Sequence, residues 1–227
     1  MLQNFAFTLY ELFGYLLPGS VALLALTMLY WALFVPSVPL GIAAFQLSLG
    51  AWTVIVVISY ALGHAAQALG NKLLGHIEKT AEKTGVTDVV NQRAHEATAE
   101  LLGIPVERVT AKWAYRTLDE YAFQTGKPSD REIFIYREGF YRGTCIALFF
   151  LSLTLLIRLV IPGASIQFTK WLYPVSVWQF LLTAAITAAL AWLFLQRFKR
   201  FVSHRVTRAI LSGLVLLHNS RAPGAGK

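Results

Sequence analysis

Long apolar runs alternate along this chain with stretches in which charged and small residues take over. A helix rises 1.5 Å per residue, so about 20 predominantly apolar residues cross the hydrocarbon of a bilayer. Four runs reach that length, at residues 16–35, 45–63, 140–161 and 174–195. The pattern therefore predicts an all-α integral membrane protein of four transmembrane helices. A helical cytoplasmic layer, residues 64–139, is expected between the second and third spans, and a basic cytoplasmic tail, 196–227, after the fourth.

Spacing and punctuation divide the remainder. Leu2, Phe5, Leu9, Leu12 and Leu16 recur every three or four positions, so 1–15 reads either as an amphipathic helix lying in the interface or as the start of a long first span kinked at Pro18. In the middle of the chain, 72–84 continues the second span until Gly85. Asp88 to Leu102 forms a helix closed by Gly103, Pro105 opens another running to Gln124, and a helix starting near Asp130 runs on into the third span. Few large apolar side chains occur in this layer. It therefore either closes on itself as a small cap or packs against other subunits or a partner.

Composition agrees with a membrane protein: 56% of residues are hydrophobic and 14% charged, against about 25% charged in soluble domains. Charge placement adds orientation. Residues 71–142 carry eleven basic and eleven acidic side chains, whereas 197–227 carries seven basic and none acidic. The connection at 36–44 has no charge, and that at 162–173 has Lys170 alone. The positive-inside rule then puts the central layer and both termini in the cytoplasm. The first run has no basic flank and is too long for a cleaved signal, so it is expected to remain as a span. A single cysteine, Cys145, excludes an intramolecular disulfide.

Polar residues inside apolar runs are the candidate site. Tyr60, His64, Gln67 and Asn71 share one helical face, and Ser59, Gly63, Ala66 and Gly70 form a small-residue stripe beside it. The fourth span repeats the theme with Gln179, Thr183 and Thr187. Such faces either pack against other helices or line a wet path, and threonines can satisfy themselves on the preceding turn. Arg158, four residues before Pro162, is expected to snorkel to the headgroups. At the entry to the third span, Glu138 and Arg142 stand at ion-pair spacing.

In the tail, Arg197, Lys199, Arg200, His204, Arg205 and Arg208 concentrate positive charge on one side of a helix. Anionic lipid headgroups are the expected partner, and a phosphorylated messenger or nucleic-acid backbone is the rival. Neither a nucleophile motif, a phosphate-gripping glycine loop nor metal-ligand spacing occurs, so no catalytic residue, metal or cofactor is expected.

The segments FGYLLPGSVALLAL, 13–26, and SYALGHAAQALGNKL, 59–73, resemble the N-terminal hairpin of small multi-span membrane proteins from bacterial antiphage-defence gene clusters. That resemblance implies a bacterial inner-membrane effector or sensor working with a soluble protein partner, and it transfers no functional residue. Three classes stay open: an oligomeric effector that opens a conductive path, a non-conducting anchor or sensor that recruits a partner, and a carrier. The small-residue stripe makes a homo-oligomer the expected assembly.

Overall fold

The structure, a computed structural model, describes residues 2–34, 40–41, 48–84, 87–125, 129–160, 165–168, 171–174 and 176–221. Among these are six helices: α1 (Leu2–Phe34), α2 (Leu49–Thr84), α3 (Asp88–Leu102), α4 (Ala111–Thr125), α5 (Ser129–Val160) and α6 (Val177–Arg221). Four of them, α1, α2, α5 and α6, contain stretches long and apolar enough to cross a membrane, matching the four predicted spans.

Helix starts follow capping chemistry rather than hydropathy. Residues 45–47 lie outside the described residues, and α2 starts after Ser48, whose Oγ accepts from the Ala51 N–H at 3.3 Å. The helix of the fourth span, α6, begins at Val177 rather than Pro174, because Pro174 ends a strand and Ser176 forms the cap. Between α3 and α4 the helix expected from Pro105 onward is interrupted. Pro105 opens only a 3-10 turn, Val106–Arg108; Val109 is extended, and Thr110 restarts the chain by accepting from the Trp113 N–H at 3.3 Å. The end of α3 falls where Gly103 predicted it: Gly103 has φ 63°, and the Ile104 and Gly103 N–H groups close on the Ala99 and Glu100 carbonyls.

Three short strands add what the hydropathy pattern did not signal. β1 (Leu40–Gly41) pairs in parallel with β2 (Ser165–Phe168), which pairs antiparallel with β3 (Trp171–Pro174). Leu40 faces Ile166 in the register and Gly41 faces Gln167. The ladder thus joins the α1–α2 connection to the α5–α6 connection and puts both at one end of their helices.

The chain forms two compact units, Met1–Lys72 with Gly139–Arg197, and Leu73–Glu138 with Phe198–Lys227. In the first unit, Ala25, Trp31, Leu151, Leu155, Phe180 and Ala184 make a core from α1, α5 and α6. Buried with them are the polar Ser59, Thr144, Ser152, Thr154 and Thr187, while Leu, Val, Phe and Trp side chains such as Trp52, Val57, Phe149, Leu182, Trp178 and Trp192 are exposed. That distribution inverts the usual soluble pattern.

The second unit is built around the tail. Phe198, Val202, Val206 and Ile210 recur every fourth position on α6 and are fully buried, as are Leu118 and Thr98. Gly213 leaves room for the backbone of Leu118, since a Cβ there would collide with the Leu118 carbonyl oxygen. Burying each such aliphatic or aromatic side chain is worth about 1.5–3 kcal/mol. The middle segment therefore packs with the help of residues 198–217.

Candidate functional site

One polar position of the apolar helices, Gln67, lies at a seam of α1, α2 and α5. Pro18 sits inside α1 with its ring buried, and a proline supplies no N–H to the carbonyl four residues before it. That carbonyl belongs to Gly14, and it accepts a hydrogen bond from Gln67 Nε2 on α2 at 3.2 Å. Glycines on α5 make the space: a Cβ at Gly139 or Gly143 would crowd the Gln67 side chain, and one at Gly143 would also meet the Pro18 ring. Gln67 thus repairs the defect that Pro18 leaves, and Gly139 and Gly143 make the repair sterically possible.

One turn away the backbones touch. A Cβ on Gly19 would overlap the Ser59 carbonyl, and one on Gly63 would overlap the Tyr15 carbonyl. Tyr15 and Gly19 are four apart on α1, as Ser59 and Gly63 are on α2, so the crossing is reciprocal. Gly70 similarly admits the stem of Arg142, and Ala66 is buried. The stripe of Ser59, Gly63, Ala66 and Gly70 thus has packing contacts within one chain. Ser59 is 1% exposed and its Oγ has no hydrogen-bond partner, so its small size is what the crossing uses.

Tyr60 and His64 form an aromatic cluster on Tyr15. The His64 ring stacks on Tyr15 at 3.7 Å and 18°, and Tyr60 lies edge-on to both, 5.6 Å from Tyr15 and 4.8 Å from His64. His64 and Asn71 are exposed, whereas Tyr60 and Gln67 are half-buried. The face is therefore split between packing and surface.

The stripe on α6 dissolves into local chemistry. Gln179 Oε1 accepts from the Ser176 N–H at 2.9 Å while Ser176 Oγ accepts from the Trp178 N–H at 3.3 Å, the reciprocal bonding of a capping box. Thr183 donates to the Gln179 carbonyl at 2.7 Å, and Thr187 to the Thr183 and Ala184 carbonyls at 3.0 Å. Ser152 on α5, which no periodicity singled out, donates across to the same Ala184 carbonyl at 3.0 Å. Gln179 is thus a capping residue; the S-x-x-Q spacing before an apolar run was the signal for it.

On the second unit, Lys199, Arg200, His204 and Arg208 are exposed, as Arg197 is on the first. Arg205 turns inward. Its guanidinium lies 3.0 Å from the Glu138 carboxylate and 6.0 Å from the centre of the Tyr115 ring, with side-chain exposures of 15% for Arg205 and 5% for Glu138. The Arg158 side chain and residues 222–227 lie outside the described residues. Among the described residues no cluster of three metal-ligating side chains occurs. No protein-family model, curated protein or solved structure matches this chain.

Proposed function

We propose that this chain is a multi-pass membrane protein that acts as a non-conducting anchor or sensor subunit, holding a basic helical unit at the bilayer surface for a soluble partner. The observation that carries the reading is the hydrogen bond from Gln67 to the Gly14 carbonyl. It gives Gln67 of the α2 face a packing role, as the capping box does for Gln179 and the back-bonding does for Thr183 and Thr187. Polar groups so satisfied are poor material for a water path. The apolar exterior of the first unit supports insertion into lipid. Charge asymmetry supports cytoplasmic termini, and the resemblance of 13–26 and 59–73 to defence-cluster proteins supports a bacterial inner membrane and a role in antiphage defence.

Recording from purified protein in planar bilayers tests the reading: it predicts no unitary currents at any protein load at which insertion is verified. Reproducible unitary currents would replace it with the second reading, a conducting oligomer. That reading is favoured by the exposure of His64, Asn71 and Thr183 on a single chain, where a second copy could meet them.

A further inference from the structure

An open groove of ≈ 450 Å³ runs along α6 in the second unit, lined by Arg137, Phe201, His204, Thr207, Arg208, Leu211 and Ser212. We propose that it binds a phosphate group carried on an apolar or aromatic body. The proposal deepens the anchor-or-sensor reading by naming the ligand class, and it rests on that reading only for what the binding controls.

The lining sorts by chemistry. Arg137 of α5 lines the groove together with His204 and Arg208 of α6, so two arginines and a histidine border it from two helices. A guanidinium is a planar fork that matches two oxygens of one phosphate. Arg137 and Arg208 also engage other groups of the chain. With five N–H donors each, they can keep one partner and still present a pair to a ligand. Thr207 and Ser212 add two hydroxyl donors, and none of the seven described lining residues is acidic. Phe201 and Leu211 give the groove apolar surface at either side of the cations.

Size argues for more than an inorganic ion. Phe201, His204, Arg208 and Ser212 recur at three- and four-residue steps, one face of a helix that rises about 16 Å from first to last. The volume falls in the range of about 300–1,000 Å³ occupied by small-molecule sites. Two sources share this chemistry, a phospholipid headgroup with its chains on Phe201 and Leu211, or a soluble nucleotide with its base there.

The test uses the full-length protein in nanodiscs. Calorimetric titration with ATP in phosphatidylcholine discs reads the soluble source, and the rise in melting temperature on moving from phosphatidylcholine discs to discs containing phosphatidylglycerol reads the lipid source. Either response supports the site if Arg137→Gln and Arg208→Gln each weaken it by about tenfold or more, as loss of a charge-assisted contact should, while Arg93→Gln on α3 leaves it unchanged. If either variant fails to give a folded, monodisperse protein, His204→Gln and Leu211→Ala take its place and should weaken the response without altering the gel-filtration profile. No response to ATP or phosphatidylglycerol, or an equal loss in Arg93→Gln, overturns the proposal. A protein that conducts yet loses ATP or lipid binding in Arg208→Gln overturns the anchor reading alone; one that is silent and binds neither overturns the groove alone.

Discussion

Gln67 Nε2 donates to the Gly14 carbonyl at 3.2 Å, the carbonyl that Pro18 deprives of its helical donor. The relationship is a compensation, and it makes a sign-specific prediction. Gln67→Leu should destabilise the protein by about 0.6–2 kcal/mol, the range for interhelical hydrogen bonds in membranes. In a Pro18→Ala background the same change should cost close to nothing, because residue 18 then has an N–H for Gly14. A double-mutant cycle on thermal or SDS unfolding measures the coupling, and equal costs in both backgrounds would refute it.

The crossing of α1 and α2 predicts a contrast among small residues. Gly19→Ala and Gly63→Leu place carbon on top of backbone carbonyls and should reduce folded yield, with no change in subunit count for whatever folds. Gly75→Ala meets nothing within 4 Å and should raise stability by about 0.5–1 kcal/mol. Ser59→Ala should be neutral or mildly stabilising, since it removes a buried hydroxyl that has no partner. Yield, melting temperature and native mass together check all four.

For the Glu138–Arg205 pair the expected pattern is non-additive. Either Glu138→Leu or Arg205→Met alone strips a buried charge of this contact and should cost up to about 3–5 kcal/mol, whereas both together should cost less than either single change. Tryptophan fluorescence on urea unfolding would read the difference, and additive losses would contradict the pairing.

Pairing of β1 with β2 puts the α1–α2 and α5–α6 connections together, so reporters inserted after Val38 and after Ser165 should report the same side of the membrane. Reporters after Gly126 and Lys227 should report the other side, which the charge distribution predicts to be the cytoplasm. A split result for Val38 and Ser165 would contradict the ladder.

Much of this fold could be read from local pattern, because length, hydropathy and glycine or proline punctuation are properties of neighbouring residues. The four spans and the helix Asp88–Leu102 with its Gly103 cap belong to that class. What escaped depends on partners distant in sequence. Nothing near Gln67 in the chain reveals that Gly14 lacks a donor. Nothing near Val202 and Val206 in the chain says that both will be buried, and Arg205 finds Glu138 only once α5 and α6 are side by side. Gln179 was a different matter: its capping-box spacing from Ser176 was present locally but masked by the apparent continuity of the apolar run.

The central claim, that the polar residues of the spans are structural and do not meet water, is tested most directly by cysteine accessibility in intact membranes. In a Cys145→Ser background, Ser59→Cys, Thr183→Cys and Thr187→Cys would be exposed to a membrane-impermeant maleimide before and after solubilisation in SDS. Thr183 is the decisive position, since it is exposed on the chain and would be wetted in any conducting assembly. The account predicts that all three stay unmodified in the membrane and react fully in SDS. Modification of Thr183→Cys and Thr187→Cys in intact membranes would contradict it and establish a water path along α6.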